Sequence, residues 1–150
     1  MTTRRGIWMH LLRPRETVSS LDDIDLHGLI ERGIRFLMLD LDNTLGGRRS
    51  GRLDKEVEPF LDRAEKLGMS VGILTNRRWA VEDDAVSLLR KRVPFMHSAR
   101  KPARHGYLNL LDELGGTPAE AAMVGDRILT DIVGANALRI HSILIRRSGS

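Results

Sequence analysis

Phe36-Leu37-Met38-Leu39-Asp40-Leu41-Asp42-Asn43-Thr44-Leu45 is the stretch that decides the fold. An uncharged apolar run ends in two carboxylates set two residues apart, and a turn follows. Such a run reads as a strand buried on both faces, as in a parallel sheet. Functional residues in parallel sheets collect just beyond the carboxyl ends of the strands. Asp40 and Asp42 would stand there close together, repelling one another unless a cation is held between them. Paired carboxylates suit a hard, oxygen-seeking ion such as Mg²⁺. The same residues also suit plain structure, with Asp40 ending the strand and Asp42 or Asn43 capping a turn.

Three further strand ends tip the balance. Ser70-Val71-Gly72-Ile73-Leu74 runs into Thr75-Asn76, and Ser98-Ala99-Arg100-Lys101-Pro102 forms a polar junction. Pro102 reads as the first residue of a helix carrying Leu108, Leu111 and Leu114. Ala121-Ala122-Met123-Val124-Gly125 ends in Asp126, with Asp131 close behind. Alone, Thr75 is a cap, Lys101 a solvated lysine and Gly125-Asp126 a turn. Together, two acids, a hydroxyl, a lysine and two more acids are what phosphoryl transfer requires: nucleophile, proton donor, phosphate donors and metal cage.

In order and spacing these residues resemble the four motifs of the haloacid-dehalogenase (HAD) superfamily, from about Leu12 to Arg146. Three segments resemble the YqeG-like branch of subfamily IIIA, which includes phosphatidylglycerophosphate phosphatases. They are the DLDNTL run, Ala99-Arg100-Lys101-Pro102, and Val124 to Asp131 leading through Gly134 and Asn136 to Ile143-Leu144-Ile145. The resemblance implies an Mg²⁺-dependent phosphatase in which Asp40 attacks phosphorus and carries an aspartyl-phosphate, and Asp42 is the general acid and base. It implies that Thr75 and Lys101 hold the transferring oxygens and balance charge. Asp40, the Asp42 carbonyl and Asp126 would hold the metal, and Asp131 would orient Lys101 or a metal-bound water. Thr75, Asn76, Arg77 and Lys101 are the expected substrate contacts. Relatives in the branch often have Ser-Asn-Asn where this chain has Thr75-Asn76-Arg77, and Gly46-Gly47-Arg48-Arg49 is more basic than the family pattern.

Strands at 34–40, 70–74, 121–125 and 141–146, with a short one near Phe95, alternate with helices at about 54–67, 79–92, 103–114 and 127–137. That order predicts an α/β fold, a three-layer Rossmann-like parallel sheet. The gaps between motifs leave no room for a cap domain. Gly115-Gly116 should close one helix, and Thr117-Pro118-Ala119-Glu120 has capping-box spacing.

At 150 residues and 41% hydrophobic, the chain has the length for one core. It has no cysteine, which excludes disulfides and thiolate sites. Its histidines (His10, His27, His97, His105 and His141) lack zinc spacing. No apolar run approaches the ~20 residues that span a bilayer.

The net charge is +4, and Arg48, Arg49, Arg52, Arg77, Arg78, Arg100 and Arg127 all fall in loops after strands. These would ring the acidic centre and suit a polyanionic partner. Few aromatics are free for base stacking, which argues against nucleic acid. Residues 1–15 form a basic segment before the phosphatase domain at 16–147. Arg4, Arg5, Arg13 and Arg15 flank Ile7, Trp8, Met9, Leu11 and Leu12, which suits either a membrane interface or packing on the domain. The expectation is a cytoplasmic protein touching the inner membrane face and hydrolysing phosphatidylglycerophosphate or a related anionic lipid phosphate. Two alternatives stand beside it. One is the same chemistry on a nucleic-acid end, protein or sugar phosphate; the other is a binding module with a residual site.

Overall fold

The computed structural model describes residues 4–42, 44–46, 51–78 and 83–147. Asn43, Arg48 and Arg49 lie outside the described residues, as do the side chains of Arg4, Arg5 and Ile7. The chain runs α1 (Arg4–Leu12), β1 (Glu16–Val18), α2 (Leu26–Glu31), β2 (Phe36–Leu39), α3 (Val57–Lys66), β3 (Ser70–Leu74), α4 (Asp84–Arg92) and β4 (Phe95–Met96). It continues with α5 (Arg104–Leu114), β5 (Ala121–Gly125), a π-helical turn (Ile128–Ile132), α6 (Val133–Ala137) and β6 (His141–Ile145). The strands form one sheet in the order β1-β6-β5-β2-β3-β4, every pairing parallel.

Strand alternation divides the core into two layers. Leu37, Leu39, Val71 and Ile73 point to one face, where Leu29, Phe60, Leu61 and Leu89 from α2, α3 and α4 cover them. Met38, Leu74 and Met123 point to the other, under Tyr107, Leu110 and Leu111 of α5 and Ala135 of α6. The result is the three-layer α/β arrangement expected from the apolar runs. Residues 40–56 and 75–83 link strand to helix without an inserted domain among the described residues.

Several elements differ in detail. Lys101–Pro102 is a cis peptide, and α5 starts at Arg104 rather than at Pro102. Pro102 sits in a turn closed by the Ala103 amide on the Arg100 carbonyl at 2.8 Å. Gly115 does end α5, in the left-handed conformation that glycine adopts most readily (φ 85). Pro118–Glu120 is a 3-10 turn, but the capping box is not formed. The Thr117 hydroxyl meets the Glu120 carboxylate at 2.8 Å, so neither side chain caps a backbone amide. The helix expected at 127–137 opens as the π-turn before becoming α6.

Candidate active site

Each parallel strand delivers its following residue to the same edge of the sheet. β2 ends at Leu39, and the Asp40 amide still donates to Val124 of β5 at 2.9 Å, which fixes Asp40 against the neighbouring strand. Leu41 and Leu45 then plunge into the core, and Leu45 closes a turn on the Leu41 carbonyl at 3.0 Å. This alternation leaves Asp42 between two buried leucines, turned outward.

Lys101 is the hub. Its side chain is 2% exposed, and Nζ donates to Asp40 Oδ1 at 2.7 Å, Asp131 Oδ1 at 2.7 Å and the Leu74 carbonyl at 2.8 Å. An ammonium has three protons, so this one is fully satisfied. Asn76 holds the hub's backbone: its Oδ1 accepts from the Lys101 amide at 2.6 Å and its Nδ2 donates to the Lys101 carbonyl at 3.0 Å. Both polar groups of Asn76 are therefore occupied by the chain itself. Thr75 is buried, and its hydroxyl accepts from the Arg77 amide at 3.1 Å.

Arg77 forms a second cluster. Its Nη2 pairs with Asp42 Oδ1, its Nε lies 3.4 Å from Asp42 Oδ2, and its Nη1 donates to Asp83 Oδ2 at 3.1 Å. Asp83 also caps α4, accepting from the Val86 amide at 2.9 Å. Asp42 is thus grasped by a guanidinium that it shares with Asp83, outside the group formed by Asp40, Asp126 and Asp131.

Oxygens of Asp40, Asp126 and Asp131 lie within 4.8 Å of one another. Burial, and then the nearby Asp131 charge, push the Asp40 carboxyl up to about 6 despite Lys101. Burial likewise raises Asp131, again against Lys101, while burial and Asp40 raise Asp126. Asp126 Oδ1 is buried and makes no hydrogen bond. Three clustered carboxylates share one lysine, and one oxygen is unpartnered, so this donor set fits a hard divalent cation. Gly125 is required here, since a Cβ would fall 2.1 Å from Asp131 Oδ2.

A cleft of about 310 Å³ opens above these groups, lined by Asp40, Asp42, Thr75, Asn76, Arg77, Arg78, Lys101, Arg127 and Thr130. Sequence reasoning missed Thr130, Asp83 and Tyr107. The Tyr107 hydroxyl donates to the Thr130 carbonyl at 2.8 Å, bracing the π-turn that carries Asp131. Asp83 carried a readable signal, an Asp just ahead of an apolar-periodic segment. Tyr107 carried none.

Residues 98–150 match the HAD-hydrolase-like family. The chain is 26% identical to the probable phosphatase YqeG of Bacillus subtilis (strain 168), over 88% of this chain and 76% of that protein. It is 29% identical to phosphatidylglycerophosphate phosphatase 1, chloroplastic/mitochondrial, of Arabidopsis thaliana, over 82% of this chain but 37% of that protein. A HAD phosphatase from Thermococcus onnurineus superposes with a TM-score of 0.58 at 25% identity, covering 66% of this chain and 49% of that one. A Corynebacterium glutamicum protein of 20% identity shares the fold at a TM-score of 0.62, over 77% of this chain and 87% of that one. The motif order, the carboxylate cluster around Lys101 and these relatives agree. In sequence and fold the chain is similar to haloacid-dehalogenase phosphatases, the YqeG protein among them.

Proposed function

We propose that the chain is a Mg²⁺-dependent phosphomonoester hydrolase acting through an aspartyl-phosphate on Asp40, and that its substrate is phosphatidylglycerophosphate or a related anionic lipid phosphate. The observation that carries the chemistry is Asp40 itself, aligned by Lys101 at the floor of a cleft flanked by Arg78 and Arg127. An Asp40 oxygen would bond to phosphorus as the ester oxygen leaves. Asp42 would give that oxygen a proton, and would later take one from the water that frees phosphate. Thr75 and Lys101 would hold the transferring oxygens. A substrate phosphate also offers Arg77 a competing dianion, which frees an Asp42 oxygen for proton transfer.

Asp40, the Asp42 carbonyl and Asp126 would hold the Mg²⁺, with Asp131 in support by orienting Lys101. When bound, the ion neutralises charge between the anionic nucleophile and the anionic phosphate.

Three features support a lipid substrate. The cleft has no covering domain among the described residues, its rim is basic, and the Arabidopsis relative is a phosphatidylglycerophosphate phosphatase. The 1–15 segment supports a membrane-surface location. Trp8, Met9 and Leu12 of α1 are 65%, 52% and 41% exposed, while Arg13 and Arg15 follow. A bilayer interface accommodates an aromatic at headgroup level beside arginines. No helix among the described residues is long and apolar enough to cross a membrane. The reading is of a cytoplasmic protein resting on the inner membrane face.

The deciding experiment measures Mg²⁺-dependent phosphate release from phosphatidylglycerophosphate in mixed micelles, beside a soluble phosphate ester, with Asp40→Asn as control. Release from the lipid alone, lost in the variant, supports the whole reading. Release from the soluble ester alone keeps the chemistry and discards the lipid. Silence on both substrates restores the binding-module alternative.

A further inference from the structure

At the opposite end of the sheet, where β1 and β6 begin, lies a cavity of about 450 Å³. It is larger than the catalytic cleft and within the usual range of ligand pockets. Arg15, Arg32, Arg139, His10 and His141 all line it, and no acid does among the described residues. Glu16 approaches only through its pair with His141. Some arginines elsewhere are paired with carboxylates, as in Arg63–Asp22, Arg92–Asp62 and Arg147–Asp54. Among the described residues, Arg15, Arg32 and Arg139 have no carboxylate partner. Three exposed arginines and two histidines around one concavity give it a positive potential that suits an anion.

Two further features hold this wall in place. Arg139, at a positive φ of 61, is the left-handed residue that closes α6, with the Ile140 amide on the Ala135 carbonyl at 2.8 Å, so its backbone is held by the end of the helix. The lining segment before β1 is held by Asn136, which is 7% exposed. Its Nδ2 donates to the carbonyls of His10, Leu11 and Arg13 at 3.3, 2.9 and 2.7 Å, and its Oδ1 accepts from Ser142 Oγ at 2.7 Å. That same Ser142 oxygen accepts from the Arg15 amide at 3.0 Å. The backbones presenting His10 and Arg15 are fixed before any ligand arrives.

We propose that this cavity is a second anion site, separate from the catalytic cleft, that binds a ligand bearing more than one phosphate or a cluster of phosphate headgroups. The proposal does not depend on the catalytic reading. Its test titrates the full chain with inorganic pyrophosphate in metal-free, low-salt buffer and follows backbone amide resonances. Amides at 139–141 and Arg15 should shift as one set, distinct from those of Thr75, Asn76 and Lys101. Arg139→Gly suits the backbone at that position, so it keeps the fold while weakening the first set by roughly fivefold, the upper range for one exposed ion pair. Arg32→Ala on a different part of the wall should do the same, and neither should move the cleft set. A parallel arm measures binding to phosphatidylglycerol vesicles against phosphatidylcholine vesicles. Arginine-dependent capture by the former assigns the phosphate to lipid headgroups, and its absence assigns it to a soluble ligand. Shifts confined to the cleft, or affinity unchanged in both variants, would overturn the proposal.

Discussion

Two ion clusters stand side by side at the carboxyl edge of the sheet, each with two acids on one cation. In the inner one Lys101, Asp40 and Asp131 have side chains 2%, 9% and 0% exposed. In the outer one Arg77, Asp42 and Asp83 are 12%, 18% and 23% exposed. The stoichiometry is the same, so each carries one surplus negative charge, but the outer cluster is the more open to water. Solvent screens the surplus there and the cluster can serve as a scaffold. The inner surplus is trapped in low dielectric, joined by Asp126 with its unpartnered oxygen, and calls for another cation. Burial, more than composition, separates the two clusters.

The largest effect that could break this contrast is removal of the inner cation. Lys101→Ala leaves Asp40 and Asp131 buried against each other, and should cost about 3–5 kcal/mol of stability and abolish turnover. Asp40→Asn should abolish turnover just as fully while leaving urea stability equal or higher, since it removes one of the crowded charges. Equal denaturation midpoints for Lys101→Ala and the parent chain would show that the inner cluster is not dominated by burial.

The surplus charge also sets a pH dependence. The Asp40 carboxyl rises from 3.8 unfolded to about 6 folded, so the fold favours its protonated form. That contribution to stability is fully present below about 3.8 and is lost as pH rises through about 6. The metal-free protein should therefore lose stability between pH 4 and 7. Saturating Mg²⁺ should restore it by about 5 °C at pH 7 and by less at pH 5, when melting is followed by circular dichroism. An Mg²⁺ response that is the same at both pH values would sever the cation from the buried charge.

How much of this was legible follows the same line between buried and exposed. β2, β3 and β5 are covered on both faces and read as unbroken apolar runs; the spans 70–74 and 121–125 match the structure residue for residue. β1 is an edge strand of Glu16-Thr17-Val18 with no apolar run, and only its pairing with β6 makes it a strand. Asp40, Lys101, Asp126 and Asp131 stood out because each follows a readable strand. Asn76 and Arg77 stood out as substrate contacts, but the contacts they make within the protein did not. That Asn76 fastens the Lys101 backbone, that Arg77 bridges Asp42 to Asp83, and that Tyr107 braces the π-turn are long-range contacts with no local signature.

Arg77→Ala sharpens the comparison from the outer side. A partly exposed pair contributes about 1 kcal/mol, so the variant should stay folded. If substrate phosphate and Asp42 share this guanidinium, kcat/KM should fall roughly tenfold with most of the change in KM. Arg77→Lys should recover little, because a lysine cannot span two carboxylates with a planar fork.

The smallest effect belongs to Asp83, whose two oxygens do different work: Oδ1 caps α4 on the Val86 amide, and Oδ2 accepts from Arg77. Asp83→Asn keeps a capping oxygen and loses the charge, so it should cost a few tenths of a kcal/mol. Asp83→Ala loses the cap as well and should cost about 1 kcal/mol. Turnover should change less than about threefold in either variant, because Arg77 keeps its remaining nitrogens on Asp42. A scaffold that water can screen tolerates the loss of one strut. If Asp83→Asn instead lowers kcat/KM as far as Arg77→Ala does, the outer cluster acts as one unit with the chemistry, and burial alone no longer distinguishes the two.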